Sequence, residues 1–218
     1  MPATAIGNIL SLKLKPWLDA LIPAHCLACE EKINSDFFCS DCFGTLSLSP
    51  DQASFAYQGA LKQVIQEAKF KPNEVKARRL SQFWLEQIKN GCLQFPFPET
   101  QFDGVCFVPL HWKRRLSRGF DVASIFALQV ADFLNIPLKD WLVSKHLSAP
   151  LSASKSKAER FRLVENRYRM AQKYAGLKPE TLLLVDDVTT SGATLNSAAE
   201  TLRSHGHEIH NYALAKTL

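Results

Sequence analysis

Residues 182–194 read LLLVDDVTTSGAT, and this stretch decides the fold of the chain. Its first four residues are apolar, as in a strand that is buried on both faces of a parallel sheet. Asp186 and Asp187 follow at the carboxyl end of that strand, where open α/β sheets bind their ligands. A loop of small hydroxyl residues around Gly192 comes next, and from Leu195 the apolar spacing predicts a helix. The stretch therefore predicts a strand, a ligand-binding loop and a helix in that order.

The residue types in this stretch indicate a sugar phosphate as the ligand. Free backbone N–H groups and hydroxyls at a helix N-terminus bind phosphate, and the loop offers both. The two carboxylates do not suit phosphate, but they suit sugar hydroxyls or a Mg²⁺ ion on the same ligand. The candidate ligand-binding residues are Asp186, Asp187, Thr190, Ser191, Gly192, Ala193 and Thr194. The structural alternative is a buried strand followed by a turn and a threonine helix cap.

The distribution of charge indicates an anionic partner. The chain has 218 residues and a net charge of +5. Residues 108–173 hold 13 Lys or Arg against 5 Asp or Glu, so this segment carries +8 and the remainder −3. Concentrated positive charge attracts a phosphorylated small molecule or a nucleic acid. The alternative is a basic face that is merely solvated.

The first 22 residues are rich in apolar side chains, interrupted by Lys13 and Lys15. No apolar run approaches the ~18 residues of a membrane span, and no secretory signal is expected. We expect an amphipathic helix that packs on its own protein, with a helix at a membrane surface as the alternative. No transmembrane segment is predicted, and a cytoplasmic location is expected.

Four of the six cysteines form two C-x2-C pairs, Cys26 with Cys29 and Cys39 with Cys42. Each pair can present two thiolates to one tetrahedral ion, and four sulfurs complete a structural Zn²⁺ site. The nine residues between the pairs can return to the same ion, since an extended residue spans about 3.3 Å. Disulfides are the alternative, and a cytosolic setting argues against them. The sequence therefore predicts structural zinc.

The chain divides into a small N-terminal unit, residues 1–49, and a larger α/β domain, residues 50–218. The first holds the N-terminal helix and the cysteine pairs, and the second alternates strands with helices. Strands are predicted at residues 53–57, 105–108, 182–185 and 209–214, and helices at 61–68, 73–89, 123–134 and 195–204. Such alternation predicts a mainly parallel sheet with right-handed crossovers.

A basic segment follows the strand predicted at residues 105–108. Basic side chains at the carboxyl end of a strand, beside a phosphate loop, can neutralise a pyrophosphate, and Arg binds phosphate oxygens through its bidentate fork. Aromatic residues among them could stack on the bases of a single strand, as Trp112, Phe120 and Phe161 would. The candidates for pyrophosphate or nucleic acid are Lys113, Arg114, Arg115, Arg118, Lys157 and Arg160. The alternative is a solvated basic loop.

Residues 186–194 resemble the ribose-phosphate signature of type I phosphoribosyltransferases, usually DDxxTTGxT, with Ser191 in place of the second threonine. With the other motifs, they make the chain resemble the ComF family along nearly its whole length. The features that carry this resemblance are the four paired cysteines, Pro109-Leu110 through Arg118-Gly119-Phe120, Lys157-Ala158-Glu159-Arg160, and residues 186–194. The resemblance implies an α/β fold with the mainly parallel sheet of type I phosphoribosyltransferases at residues 50–218, beside a small four-cysteine zinc unit.

The ComF resemblance implies a cytoplasmic protein of natural transformation that handles incoming single-stranded DNA after uptake. It also implies a phosphoribosyl pyrophosphate-like ligand, with Asp186 and Asp187 at the ribose hydroxyls and residues 190–194 at the 5′-phosphate. Mg²⁺ would accompany that ligand, and a DNA helicase and a DNA-processing protein of the competence machinery are the implied protein partners. The alternative is an active phosphoribosyltransferase, with Asp186 and Asp187 as catalytic residues and an acceptor that the sequence does not identify.

The chain departs from the ComF pattern at positions that could orient a substrate. Asp121 and Val122 stand where members commonly continue with Asn-Gln. Polar residues often found around the R-A-E-R stretch are also replaced here, as by Leu163. The ribose-phosphate loop keeps its hydroxyls while its surroundings have changed. We therefore expect ligand binding rather than turnover.

Overall fold

The computed structural model describes residues 24–34, 37–50, 53–70, 73–98, 101–145, 167–174 and 176–218. In these residues the strands are β1 (Ala24–His25), β2 (Lys32–Ile33), β3 (Ala53–Ala56), β4 (Gly104–Phe107), β5 (Leu138–Lys139), β6 (Leu142–Ser144), β7 (Tyr168–Met170), β8 (Thr181–Thr189) and β9 (Glu208–Lys216). The helices are α1 (Ser40–Gly44), α2 (Gly59–Phe70), α3 (Glu74–Lys89), α4 (Trp112–Arg118), α5 (Val122–Leu134) and α6 (Ala193–Arg203), with a short 3-10 helix at Gln172–Tyr174. The predicted N-terminal helix lies outside the described residues.

Five of these strands form one parallel sheet in the order β3-β9-β8-β4-β5. The central strand β8 pairs with β4 through Val185 and Phe107, and with β9 through Asp186 and Ala213. Residues 182–187 of β8 are all buried, which accounts for the apolar run that precedes the aspartates. The predicted α/β fold with a mainly parallel sheet is confirmed.

The two faces of the sheet are covered by different helices. Leu183 belongs to the hydrophobic core that includes Trp84 of α3 and Phe126 of α5. Leu184 belongs to a second core, which includes Leu195 of α6. Because successive residues of a strand point to opposite faces, the single apolar run of β8 contributes to both cores. Within the described ranges, no helix is long and apolar enough to span a membrane.

A buried hydrogen-bond cluster ties α3 to the edge of the sheet. Trp84 Nε1 donates to Ser54 Oγ of β3 and to the Tyr212 hydroxyl of β9, at 2.9 Å in each case. The Ser54 and Tyr212 hydroxyls are also hydrogen bonded to each other. Burial raises the pKa of Tyr212 to about 12, against the opposing effect of its two partners, so the phenol is neutral. Each polar group in this part of the core therefore has a partner.

The structure extends or adds several elements. The sequence predicts a strand over residues 182–185, whereas β8 runs to Thr189 because β9 continues to pair with it after β4 has ended. The basic segment after β4, for which no element was predicted, forms helix α4. The antiparallel pair β6–β7 was not predicted either, since strands of three residues are too short to show a clear alternation.

Candidate functional site

A cavity of about 370 Å³ opens at the carboxyl end of the central strands. This edge is where open α/β sheets bind ligands, and the volume lies within the range of small-molecule sites. Its walls come from the ends of β4 and β8, from α2, α4 and α5, and from the β6–β7 pair. The charged and polar lining residues include Lys69, Arg114, Arg118, Asp121, Ser144, Arg167, Tyr168, Asp186, Asp187 and Thr194.

The unequal pairing of β8 places the two aspartates in this cavity. β4 pairs with β8 only as far as Val185, whereas β9 pairs with it as far as Thr189. Asp186 and Asp187 therefore extend past the end of β4 while they remain in the sheet. The backbone N–H of Asp187 donates a 2.8 Å hydrogen bond to Asp186 Oδ1. The sheet thus holds the two carboxylates together at the floor of the cavity.

The carboxyl group of Asp186 lies in an environment that strongly raises its pKa. Burial raises the pKa of Asp186 well above its ordinary value, and the neighbouring Asp187 carboxylate raises it further. Lys69 and the Asp187 N–H oppose this shift without cancelling it. Because a protonated carboxyl group donates as well as accepts a hydrogen bond, Asp186 is suited to a sugar hydroxyl.

Lys69 lines the cavity, although no sequence motif marks it as a site residue. Its Nζ lies 2.7 Å from Asp187 Oδ1, and both side chains are largely buried. Burial lowers the pKa of Lys69, but the Asp187 and Asp186 carboxylates outweigh it, so the pKa is raised and the ammonium is charged. The two partners lie 118 positions apart, and Lys69 ends an ordinary amphipathic helix. No local pattern could have linked them.

Asp121 connects the segment after β4 to helix α5. Its Oδ2 accepts a 2.7 Å hydrogen bond from the Leu110 N–H, and its Oδ1 caps the helix by accepting from the Ala123 N–H at 3.1 Å. Burial raises the pKa of Asp121, while the Leu110 N–H opposes the shift. In the sequence this residue stands out only as a departure from the ComF pattern. Its place directly before an apolar helical pattern, typical of a helix N-cap, was the available signal.

Two of the predicted basic residues, Arg114 and Arg118, line the cavity. Burial lowers the pKa of Arg118, and the Asp187 carboxylate opposes this shift. Lys113 and Arg115 are exposed on α4 and do not line the cavity. The remaining two, Lys157 and Arg160, lie outside the described residues. The structure therefore divides the basic segment between an inner pair and an outer pair.

The predicted phosphate loop leads into the N-terminus of α6. Gly192 is the N-cap of this helix and has a left-handed φ of 76°. No side chain accepts a hydrogen bond from the first N–H groups of the helix, so a ligand can accept from them. Thr194 lines the aspartate cavity. Thr190, Ser191 and Gly192 instead line a second cavity of about 780 Å³, and Ala193 is exposed. The loop therefore borders two cavities.

In this arrangement the two aspartates are weak candidates to hold magnesium directly, because groups of the protein already engage one oxygen of each. Lys69 engages Asp187 Oδ1, the Asp187 N–H engages Asp186 Oδ1, and burial favours the neutral form of Asp186. Mg²⁺ requires oxygen ligands in a nearly octahedral arrangement. In the described part of the chain, the four paired cysteines are the only group of three or more His, Cys, Asp or Glu residues close enough together to hold a metal ion.

The four cysteines fit a structural zinc ion. All four Sγ atoms lie within 4.8 Å of one another, and those of Cys29 and Cys39 are 3.7 Å apart. Sulfurs bound tetrahedrally to one Zn²⁺ ion are about 3.8 Å apart. Cys39 caps α1 by accepting a 3.5 Å hydrogen bond from the Cys42 N–H. Burial opposes ionisation of Cys26, but backbone N–H donors outweigh it and lower its pKa to about 6. Burial and hydrogen bonds among the sulfurs raise the pKa of Cys42, so the support for zinc is the geometry of the four sulfurs.

The cysteine unit packs directly on the larger domain. Phe38 shares a hydrophobic core with Phe83 of α3, and the two rings meet edge to face with centroids 5.0 Å apart. Lys76 of α3 forms an ion pair of 2.9 Å with Glu30 of the cysteine unit, and a second with Glu67 of α2. The cysteines therefore fix residues that contribute to the main core.

Two sequence comparisons show what the chain is similar to. Residues 116–217 match the phosphoribosyl transferase domain family. The chain is also similar to Competence protein F of Haemophilus influenzae, with 25% identity over 209 residues that cover 88% of this chain and 90% of that protein. The matched domain begins within α4 and includes both aspartates and α6.

Two solved structures resemble parts of the chain. Adenine phosphoribosyltransferase from Thermoanaerobacter pseudethanolicus is 13% identical, covers 81% of this chain and 86% of its own, and has a TM-score of 0.41. The Saccharomyces cerevisiae enzyme is 15% identical, with the same coverage and a TM-score of 0.39. The sequence comparisons confirm the predicted resemblance: residues 116–217 match the phosphoribosyl transferase domain family, and the chain is similar to Competence protein F along most of its length.

Proposed function

We propose that the cavity binds a phosphoribosyl pyrophosphate-like ligand. The observation that carries this proposal is that Asp186 and Asp187 share one cavity with Arg118 and with Thr194, in the first turn of a helix that no side chain caps. Carboxylates accept hydrogen bonds from ribose hydroxyls, Arg binds pyrophosphate oxygens, and a helix N-terminus attracts phosphate. A ligand with all three groups would satisfy these residues together.

Isothermal titration calorimetry with phosphoribosyl pyrophosphate tests this proposal. Arg118→Met should weaken binding about tenfold or more, because it removes charge-assisted hydrogen bonds to the pyrophosphate. Arg115→Met is the matched control, since Arg115 lies on the same helix but is exposed and does not line the cavity. Absence of binding to the wild type, or equal affinities for wild type and Arg118→Met, would overturn the proposal.

We further propose that the protein handles single-stranded DNA in natural transformation. The similarity to a protein named Competence protein F supports this process. The structural support is the outer face of α4, where Trp112 is 57% exposed and lies beside the exposed Lys113 and Arg115. Lys113 Nζ is 5.6 Å from the centroid of the Trp112 ring. Exposed aromatic rings among basic residues bind single strands without strict sequence preference.

The other two aromatic residues predicted to stack on bases, Phe120 and Phe161, do not add to this support. Phe120 is buried, with 9% exposure, so its ring is not available to a base and its prediction as a stacking residue is wrong. Phe161 lies outside the described residues. A DNA helicase and a DNA-processing protein remain proposed partners that follow from the ComF resemblance.

Fluorescence anisotropy with a labelled single-stranded oligonucleotide tests the DNA proposal. Lys113→Gln should reduce the slope of log affinity against log salt by about 0.7, the value for one neutralised phosphate of a single strand. Trp112→Ala should weaken binding by about 1–3 kcal/mol through lost stacking and leave that slope unchanged. Lys62→Gln, at an exposed lysine of α2, is the control. Unchanged binding in both α4 variants would remove the support for this face.

Transfer of ribose 5-phosphate to an acceptor is the alternative function of the same cavity. The bond from C1 to pyrophosphate would break, a bond from C1 to the acceptor would form, and Arg114 and Arg118 would stabilise the departing pyrophosphate. Asp186 and Asp187 would act by holding the ribose hydroxyls. Pyrophosphate release that is lost in Asp186→Ala and Asp187→Ala variants would support transfer. Ligand binding without release for any nucleobase or amine acceptor would count against it.

A further inference from the structure

Lys69 places a positive charge inside the ligand cavity, beside one of the two motif aspartates. Its Nζ lies 2.7 Å from Asp187 Oδ1, and the exposed fractions of the two side chains are 22% and 11%. Lys69 comes from the last turn of α2, whereas Asp187 lies on β8. The ammonium therefore already supplies a positive charge to the Asp187 carboxylate.

The charge of the aspartate pair is largely balanced by the chain itself. Lys69 pairs with Asp187, and burial favours the neutral form of Asp186. Arg114 and Arg118 add two further positive charges to the same cavity. A metal ion in a sugar-phosphate site neutralises ligand phosphates and engages carboxylates at the same time. Here Lys69 engages the Asp187 carboxylate, and Arg114 and Arg118 can neutralise ligand phosphates.

The chemistry of an ammonium group suits a bridging position. Lysine carries three N–H donors around a compact charge on a flexible stem, so one side chain can bond a carboxylate and a phosphate oxygen together. In phosphoribosyl pyrophosphate, the pyrophosphate is attached to the carbon next to the one that carries the 2-hydroxyl. A ligand whose hydroxyls contact Asp187 would therefore bring its pyrophosphate close to Lys69.

We propose that Lys69 bridges Asp187 and the pyrophosphate of the ligand in place of magnesium, so that ligand binding does not require a divalent cation. This inference rests on the proposed function of the cavity, and it adds Lys69 to the ligand-binding residues. It also gives phosphoribosyl pyrophosphate an advantage over ribose 5-phosphate, which lacks the group that Lys69 contacts.

Calorimetry with phosphoribosyl pyrophosphate, with and without added Mg²⁺, tests this role. The magnesium-free buffer is prepared over a chelating resin rather than with a dissolved chelator, and the zinc content of the protein is measured, so that the cysteine site stays loaded. The wild type is expected to bind with affinities that agree within about threefold in the two buffers. Lys69→Met is expected to bind about tenfold or more weakly without Mg²⁺, and to regain most of that loss when Mg²⁺ is added.

Two further variants control for charge and for folding. Lys69→Arg keeps the positive charge and should stay independent of Mg²⁺, while Lys62→Met removes an exposed lysine from the same helix and should behave as wild type. Melting temperatures of all variants show whether a loss of affinity reflects unfolding. The wild-type comparison of the two buffers needs no variant, so it decides the question even if Lys69→Met is unstable.

The outcomes separate this inference from the function on which it rests. Wild-type binding that depends on Mg²⁺ would overturn the role of Lys69 and leave the ligand cavity in place. Equal affinities for wild type and Lys69→Met in magnesium-free buffer would also overturn the role of Lys69 and leave the ligand cavity in place. Absence of wild-type binding in both buffers would overturn the proposed function and this inference together.

Discussion

The backbone N–H of Asp187 donates a 2.8 Å hydrogen bond to the carboxyl group of Asp186, yet the two adjacent acids are not equivalent. Asp187 is paired with Lys69, whereas burial raises the pKa of Asp186 well above its ordinary value. Asp187 therefore provides the ion-paired acceptor, and Asp186 provides a carboxyl group that favours the neutral form. A symmetric DD motif in the sequence becomes two different functional groups in the fold.

Asp186→Asn should stabilise the protein in a pH-dependent way. The folded protein keeps the Asp186 proton at pH values where the unfolded chain has released it, so stability from this residue falls as pH rises from about 4 through the raised pKa. Asparagine cannot ionise and still accepts the Asp187 N–H. The free energy of unfolding should therefore exceed that of the wild type at pH 7, with the difference vanishing towards pH 4.

Urea unfolding between pH 4 and pH 8 measures this difference. Asp132→Asn replaces an exposed acid on the surface of α5 and serves as the control. If the difference between Asp186→Asn and wild type were the same at every pH, burial of an ionisable Asp186 would not be its source.

Gly59→Ala should destabilise the contact between the cysteine unit and α2. Gly59 has a left-handed φ of 53°, and a Cβ at this position would lie 2.6 Å from the backbone oxygen of Thr45. The backbone strain costs about 1–2 kcal/mol, and displacement of Thr45 adds to it because Thr45 Oγ1 accepts the Ala60 N–H. Gly44→Ala is the control, since its Cβ would meet no atom within 4 Å. Chemical denaturation should show a loss for Gly59→Ala alone.

Loss of zinc should destabilise the whole protein rather than the cysteine unit alone. Cys42→Ser removes one of the four clustered sulfurs, and Phe38 beside the cluster packs into the main core. The zinc content should fall below one ion per chain, and the melting temperature should fall by about 5–10 °C for a loss of a few kcal/mol. Cys92→Ser, at an exposed cysteine outside the cluster, should change neither quantity. Full zinc content and stability in Cys42→Ser would refute the assignment.

The parts of the fold that could be predicted from the sequence are those that local patterns determine. The apolar run before Asp186 predicts a buried strand because every residue in it must avoid water. The cysteine pairs predict a metal site because four thiolates at that spacing suit one tetrahedral ion. Both predictions use residues close together in the chain. The structure agrees with both, since β8 contains the apolar run and the four cysteine sulfurs form one cluster.

The parts that could not be predicted depend on contacts between distant segments. Lys69 becomes a cavity residue only because α2 reaches the end of β8, and its sequence neighbours give no sign of this. Arg118 lines the cavity and Lys113 does not, because the segment that holds both forms a helix. This segment has no apolar stripe from which a helix could be predicted. The extension of β8 to Thr189 depends on its pairing with β9. In each case a tertiary contact decides what the local sequence leaves open.

The cluster of Trp84, Ser54 and Tyr212 should show coupling in a double-mutant cycle. Tyr212→Phe or Ser54→Ala alone leaves Trp84 Nε1 with one acceptor, so each should reduce stability by about 1 kcal/mol. The double variant leaves the buried Trp84 N–H with neither of its acceptors, which should cost about 1–3 kcal/mol more. The hydrogen bond between Ser54 and Tyr212 is lost in each single variant but only once in the double variant, so the net coupling is this cost less about 1 kcal/mol. Urea unfolding of the four proteins measures the coupling. Simple additivity would mean that water or a shifted side chain reaches the indole N–H, and that this part of the core is less tightly closed than its hydrogen bonds indicate.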